Sequence, residues 1–174
     1  KCYRIQHFQN SILATVQLMT GDWVCTGTIL DAETILTNAD CCLAGVGQIR
    51  VGNWNSNAAE PGEFRIGAES TTLHPDFDLV TKDNNLCIIK TASLVEAQPE
   101  DCENCWASVC LPEESYLLGN ACWTAGWGAV TSGGSPSNKL RESTLNIFSR
   151  TYCENKSKPT FLEQELSDGL KINY

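Results

Sequence analysis

The chain has 174 residues, of which 42% are apolar and 19% charged, enough for one compact domain or two small ones. Twelve Lys and Arg against 21 Asp and Glu give a formal net charge of −9, which repels polyanions and argues against a nucleic-acid partner. No apolar run approaches the roughly 18 residues that cross a bilayer, so the sequence predicts no membrane span.

The predicted elements are short segments of strand length, bounded by Gly, Asn, Asp or Pro. In chain order they are 12–18, 23–30, 34–36, 48–51, 64–66, 86–89, 122–125 and 145–148. Closely spaced strands with turn signals between them indicate an all-β barrel or sandwich. One short helix is predicted at 160–170, where apolar residues recur at helical spacing.

Ten cysteines in a chain of this size are typical of a disulfide framework made in an oxidising compartment, so we expect a secreted, extracellular protein. The start, Lys1 to Arg4, lacks the pattern of a signal peptide, and we expect the chain to be already processed. Cys102 and Cys105 have a spacing that suits a redox pair or half a zinc site. With two histidines and no second such pair, we favour a structural disulfide between them.

Six motifs occur in the order and spacing of one known family. They are CTGTIL at 25–30, TNADC at 37–41, LHPDF at 73–77, NNLCIIK at 84–90, VCLP at 109–112 and AGWG at 125–128. In the same order they resemble the motifs CGGSLI, TAAHC, HPxY, NNDIxLIK, VCLP and SGWG of trypsin-like serine proteases. The resemblance implies the trypsin-like double Greek-key β-barrel, with the second barrel incomplete in this chain. We expect 1–174 to be one homologue domain, with the first barrel and linker at about 1–108 and a partial second barrel at 109–174.

The catalytic positions of the family are changed. Asp40 stands where the resemblance places the histidine, and Asn85 where it places the aspartate. An aspartate, with an ordinary pKa near ~3.9, is a poor base at neutral pH and is too short to bridge serine and a third partner. The nucleophile motif GDSGG and the start IVGG are also absent from this sequence. We therefore predict no catalytic residue, a solvated carboxylate at Asp40 and a buried hydrogen-bonding remnant at Asn85.

The resemblance also implies a disulfide pairing. The implied bridge is Cys25 with Cys41, and Cys2 is the candidate partner of Cys110. We pair Cys42 with Cys87 as a hypothesis, because the two segments that carry them lie close together in the family fold. Cys122 and Cys153 would pair with the C-terminal part of the family fold, which this sequence does not contain. We expect either a second, disulfide-linked polypeptide that completes the second barrel or a remainder of the chain beyond this sequence, in preference to a truly truncated protein.

The segment 52–63 resembles the calcium-binding loop of trypsins, which uses a carboxylate at each end. Glu63 matches the second carboxylate, whereas Asn53 replaces the first; an Asn oxygen can still coordinate a hard cation. Because the loss of one of the two charged ligands weakens a hard-cation site, we expect no cofactor, and calcium is the weaker alternative. Asn155 begins a glycosylation sequon, and we expect it to carry a glycan if the chain is secreted.

These features favour a secreted, non-catalytic serine protease homologue that binds proteins as a subunit or cofactor of an extracellular complex. The acidic charge favours basic or neutral protein partners. One alternative is the N-terminal chain of an active two-chain serine endopeptidase. The other is a structural component of an extracellular matrix or large oligomer.

Overall fold

The structure is a computed structural model that describes residues 13–20, 23–94, 106–111, 121–149, 151–152 and 155. Nine strands and one helix of five residues have both ends within this part of the chain. The strands are β1 Thr15–Thr20, β2 Trp23–Asp31, β3 Thr34–Thr37, β4 Gln48–Val51, β5 Phe64–Ile66, β6 Ala68–Leu73, β7 Cys87–Thr91, β8 Ala121–Gly126 and β9 Arg141–Asn146, and the helix is α1 Ala39–Leu43. The all-β prediction is confirmed. The helix predicted at 160–170 lies outside the described residues.

Strands β1 to β7 form one antiparallel sheet in the order β5-β4-β1-β2-β3-β7-β6. β5 and β6 stand at opposite edges of this order, yet Gly67 alone separates them along the chain. One residue spans at most about 3.6 Å, so the two edges must lie close together. The sheet therefore curls on itself into the first barrel.

The core fills the inside of the curled sheet. Its fully buried aliphatic residues alternate along the strands, with one more after β7, and are Val16, Leu18, Ile29, Ile35, Ile49, Val51, Ile89 and Leu94. Each contributes roughly 1.5–3 kcal/mol of burial free energy. β2 passes close to this core at Gly27, where an added Cβ would lie 2.7 Å from Cγ2 of Ile35. No side chain larger than hydrogen fits there without a shift of its neighbours.

β8 and β9 form a separate two-stranded antiparallel sheet, with Cys122 opposite Leu145. The segment that leads into β9 is hydrogen-bonded to the loop after β4. The Ser56 N–H donates to the Asn138 carbonyl at 2.8 Å, and the Leu140 N–H donates to the Trp54 carbonyl at 2.8 Å. The loop at 52–63 thus joins the first sheet to the second.

The sequence predicted β4 and β5 with the observed bounds and five other strands to within three residues at each end. The strand predicted at 145–148 is wrong by several residues, because β9 covers Arg141–Asn146 and its mostly exposed side chains show no apolar alternation. The sequence also missed β6, an edge strand with exposed side chains, and α1. α1 is too short to show a helical period. The division of the chain near residue 108 stays a prediction.

Candidate functional site

Two disulfides, from the adjacent Cys41 and Cys42, hold helix α1 against the sheet. Cys41 is bridged to Cys25 in β2 and Cys42 to Cys87 in β7, with Cα–Cα distances of 6.1 and 6.5 Å. Both are the pairings that the resemblance implies. Asp40 directly precedes this pair, so its backbone has little freedom to move away from β7. Asn85 lies two residues before Cys87, and the second bridge therefore brings it to α1.

Asn85, which was predicted to be buried, is half-buried and makes a two-point contact with Asp40. The Asp40 N–H donates to Asn85 Oδ1 at 3.2 Å, and Asn85 Nδ2 donates to Asp40 Oδ2 at 3.1 Å. The amide of Asn85 supplies one acceptor and one donor, which a carboxylate at this position could not do. The other carboxylate oxygen, Oδ1, accepts from Lys82 Nζ at 2.7 Å. The side chains of Lys82 and Asp40 are 47% and 40% exposed, so this ion pair lies at the surface.

The contacts set the charge of Asp40. The hydrogen bond from Lys82 holds the pKa of the Asp40 carboxyl below its ordinary value of 3.8; Asn85 and the Lys82 charge add to this, and partial desolvation opposes it. The carboxylate is therefore ionised at neutral pH and already accepts hydrogen bonds at both oxygens. Such a group is a poor proton acceptor.

Lys82 reaches Asp40 because the loop between β6 and β7 is tightly folded. Asp78 Oδ1 accepts from the N–H groups of Val80 and Thr81 at 2.7 and 2.8 Å, and the Lys82 N–H donates to the Asp78 carbonyl at 2.9 Å. Lys82 itself has φ of 61°, a left-handed conformation that non-glycine residues rarely adopt. Its Nζ also lies 5.9 Å from the centre of the Phe77 ring.

His74 belongs to the start of this loop. Its Nδ1 accepts from the Asp76 N–H at 3.2 Å, which commits one ring nitrogen to the turn. The other histidine, His7, lies outside the described residues. Sequence analysis missed Lys82, because it is 42 residues from Asp40 and no family motif contains it. Its charge, opposite to that of Asp40, and its position close before Asn85 were the available signals.

In the loop at 52–63, the two end residues that resemble calcium ligands are bonded to other side chains of the protein. Glu63 accepts from Arg50 Nε at 2.8 Å and from Arg50 Nη2 at 3.0 Å, and its side chain is 6% exposed. Asn53 Nδ2 donates to Gln17 Oε1 at 2.8 Å. In the described part of the chain, no three His, Cys, Asp or Glu side chains group as metal ligands. Asn53 and Glu63 do not fit a calcium ion, because a guanidinium already occupies the carboxylate.

The other predicted positions are only partly described. Cys110 is disulfide-bonded, and its partner lies outside the described residues, as do Cys2, Cys102, Cys105 and Cys153. Cys122, half-buried in β8, is a free thiol. Asn155 is exposed, as a glycosylated asparagine must be. The glycan, the bridge between Cys102 and Cys105 and the interchain role of Cys122 and Cys153 stay predictions.

The amino-acid sequence of this chain is similar to those of known proteins over most of its length. The family model described as Trypsin matches residues 3–171, nearly the whole chain. The chain belongs to the trypsin family. Among its curated relatives are trypsin of Sus scrofa, 32% identical over 126 residues, and serine protease 1 of Canis lupus familiaris, 28% identical over 148 residues. Ovochymase-2 of Mus musculus is 31% identical over 137 residues.

This trypsin-family chain spans about half the length of the first two relatives. The alignments cover 72% of the chain and 52% of the pig trypsin, and 84% of the chain and 58% of the dog protein. For the mouse ovochymase the shares are 75% and 22%. Within the described ranges, no helix has the length and apolar character needed to span a membrane.

Proposed function

We propose that this trypsin-family chain is a non-catalytic serine protease homologue that binds other proteins as part of an extracellular complex. The observation that carries the proposal is the Asp40–Lys82 ion pair at the position of the family's general base. A general base works best with a pKa near the operating pH, and the pKa of Asp40 is held below 3.8. The interactions with Lys82 and Asn85 would have to be given up before Asp40 could take a proton.

A binding role is supported by the loop that carries Lys82. Leu79 and Val80 at its tip are 61% and 89% exposed. Their loop is held by the bonds to Asp78, so little conformational entropy is lost when a partner covers the tip. Two adjacent apolar side chains on an ordered loop beside Asp40 are suited to contact with a protein.

An extracellular location is supported by the disulfide framework, because such bridges persist in oxidising compartments. Exposed Asn155 is positioned to carry a glycan. The thiol of Cys122 supports a disulfide to a further polypeptide segment that completes the second barrel. Cys153 is the second candidate for such a bridge.

The catalytic half of the proposal is tested by peptide hydrolysis. The full-length protein and its Asp40→Ala variant are assayed against a panel of chromogenic peptides that cover the trypsin, chymotrypsin and elastase specificities. We expect no hydrolysis above a buffer blank in either protein. Turnover that scales with the protein and is lost in Asp40→Ala would overturn the proposal and favour an active two-chain endopeptidase.

The binding half is tested by isolating the native complex and then measuring the affinity of the full-length protein for the partner protein found in it. The double change Leu79→Ser and Val80→Ser is expected to weaken binding by at least about tenfold, the loss of one apolar contact cluster. Leu111→Ser, at a leucine that is 65% exposed and lies outside this loop, is the matched control and should bind as the parent does. Equal affinity of the loop variant, or self-assembly with no other protein bound, would contradict this half.

A further inference from the structure

We infer that Arg50 is a built-in cation that takes the place of calcium in the loop at 52–63, so that the loop folds without a metal ion. The loop lies between two glycines with left-handed backbone, Gly52 at φ 72° and Gly62 at φ 79°. Within this loop the Ser56 carbonyl and the end carboxylate of Glu63 both face Arg50, and these oxygens need positive charge or donors.

The guanidinium of Arg50 supplies those donors. Nε and Nη2 donate to the two carboxylate oxygens of Glu63 at 2.8 and 3.0 Å, a bidentate pair. Nη1 donates to the Ser56 carbonyl at 3.3 Å and to Gln17 Oε1 at 3.2 Å. One side chain thus binds the end carboxylate, a backbone carbonyl of the loop and a polar side chain of β1.

The burial of the pair makes this arrangement different from a surface ion pair. The side chains of Arg50 and Glu63 are 8% and 6% exposed, and Gln17 is buried as well. A second guanidinium, that of Arg65, lies 3.6 Å from Glu63 Oε1 on the solvent side and is 55% exposed. The carboxylate is therefore neutralised from two directions before any ion arrives.

A calcium ion does not fit beside this pair. Calcium takes six to eight oxygens, whereas Asn53 Oδ1, at the first end of the loop, is the one buried side-chain oxygen without a hydrogen-bond partner in the described residues. Gln17 Oε1 already accepts from both Arg50 and Asn53. A divalent ion on Glu63 would also be repelled by Arg50 and Arg65.

The consequence reaches beyond the loop. Ser56, whose carbonyl Arg50 binds, also donates from its N–H and its hydroxyl to the Asn138 carbonyl at 2.8 and 3.1 Å. Asn138 lies on the segment that enters β9. Arg50 therefore holds the part of the loop on which the second sheet is docked.

The test is thermal unfolding of the full-length protein in millimolar calcium chloride and in EDTA, with terbium luminescence as an independent measure of lanthanide binding. We expect the two Tm values to agree within about 1 °C and no saturable terbium signal, because a ligand that does not bind the native state does not stabilise it. A Tm that is higher in calcium by about 3 °C or more, or saturable terbium binding, would overturn the inference.

Three variants test the role of Arg50 directly. Arg50→Gln leaves Glu63 buried without its partner and is expected to lower Tm by about 5–15 °C. Arg65→Gln makes the same change on the exposed side of the same carboxylate and should lower Tm by about 2 °C at most. Arg50→Lys keeps the charge but loses the bidentate geometry, and should fall between them. Equal Tm values for the Arg50 and Arg65 variants would contradict the inference.

Discussion

The contact between Asp40 and Asn85 predicts that restoring the family's aspartate at position 85 lowers the stability of the protein. Asn85→Asp replaces the Nδ2 donor, which lies 3.1 Å from Asp40 Oδ2, by a second carboxylate oxygen. Two negative charges at this distance repel by about 1–5 kcal/mol for effective dielectric constants between about 80 and 20. Because Asp40 is 40% exposed and Lys82 neutralises part of its charge, we expect the lower part of that range, about 1–3 kcal/mol. Tm should fall by roughly 3–10 °C at neutral pH.

The assay is thermal unfolding followed by circular dichroism at pH about 7 and about 4.5. The loss should shrink at the lower pH, because two carboxylates that share a site take up one proton well above their ordinary pKa. Asn57→Asp is the control, since Asn57 is exposed and the variant makes the same change in net charge. An Asn85→Asp protein as stable as the parent at neutral pH, or a loss independent of pH, would refute the reasoning.

Two further predictions concern the site and the core. Lys82→Met should cost about 0.2–1 kcal/mol at neutral pH, as an exposed ion pair does. The pKa of Asp40 is lowered in the folded state, so the stabilisation by the ion pair is complete above the ordinary pKa of 3.8 and is lost as the pH falls through the lowered folded pKa. A difference in unfolding free energy between parent and variant that grows below pH about 3.8 would contradict this prediction. Gly27→Ala should cost about 1–3 kcal/mol in denaturant unfolding, since its Cβ would lie 2.7 Å from Ile35 Cγ2. Gly128→Ala, where a Cβ meets nothing within 4 Å, should cost less, and equal losses would refute the packing argument.

The sequence predicts strands with buried side chains better than strands with exposed ones. β4 and β5 carry apolar side chains between clear turn signals, and their bounds were predicted as observed. β6 lies at an edge, pairs with β7 alone and exposes four consecutive side chains, so period-two alternation is absent. β9 is likewise held by its pairing with β8, and its sequence shows no apolar alternation.

The candidate site was predictable where a family motif contains the residue. The positions of Asp40 and Asn85, and the bridges beside them, followed from the resemblance. Lys82 did not, because its contact depends on a left-handed loop whose geometry no motif encodes. Arg50 did not either, since it lies in β4, two residues before the loop whose end carboxylate it binds. Partners from separate elements meet only once the chain is folded.

We propose that the position of the family's general base is occupied by a carboxylate that does not activate a nucleophile. The most direct test is active-site titration of the intact full-length protein with a fluorophosphonate probe, followed by intact-mass analysis under reducing and non-reducing conditions. We expect no stoichiometric labelling of any polypeptide in the sample, at neutral pH and under conditions that label trypsin completely. Stoichiometric labelling of a serine in this protein or in a disulfide-linked segment would contradict it.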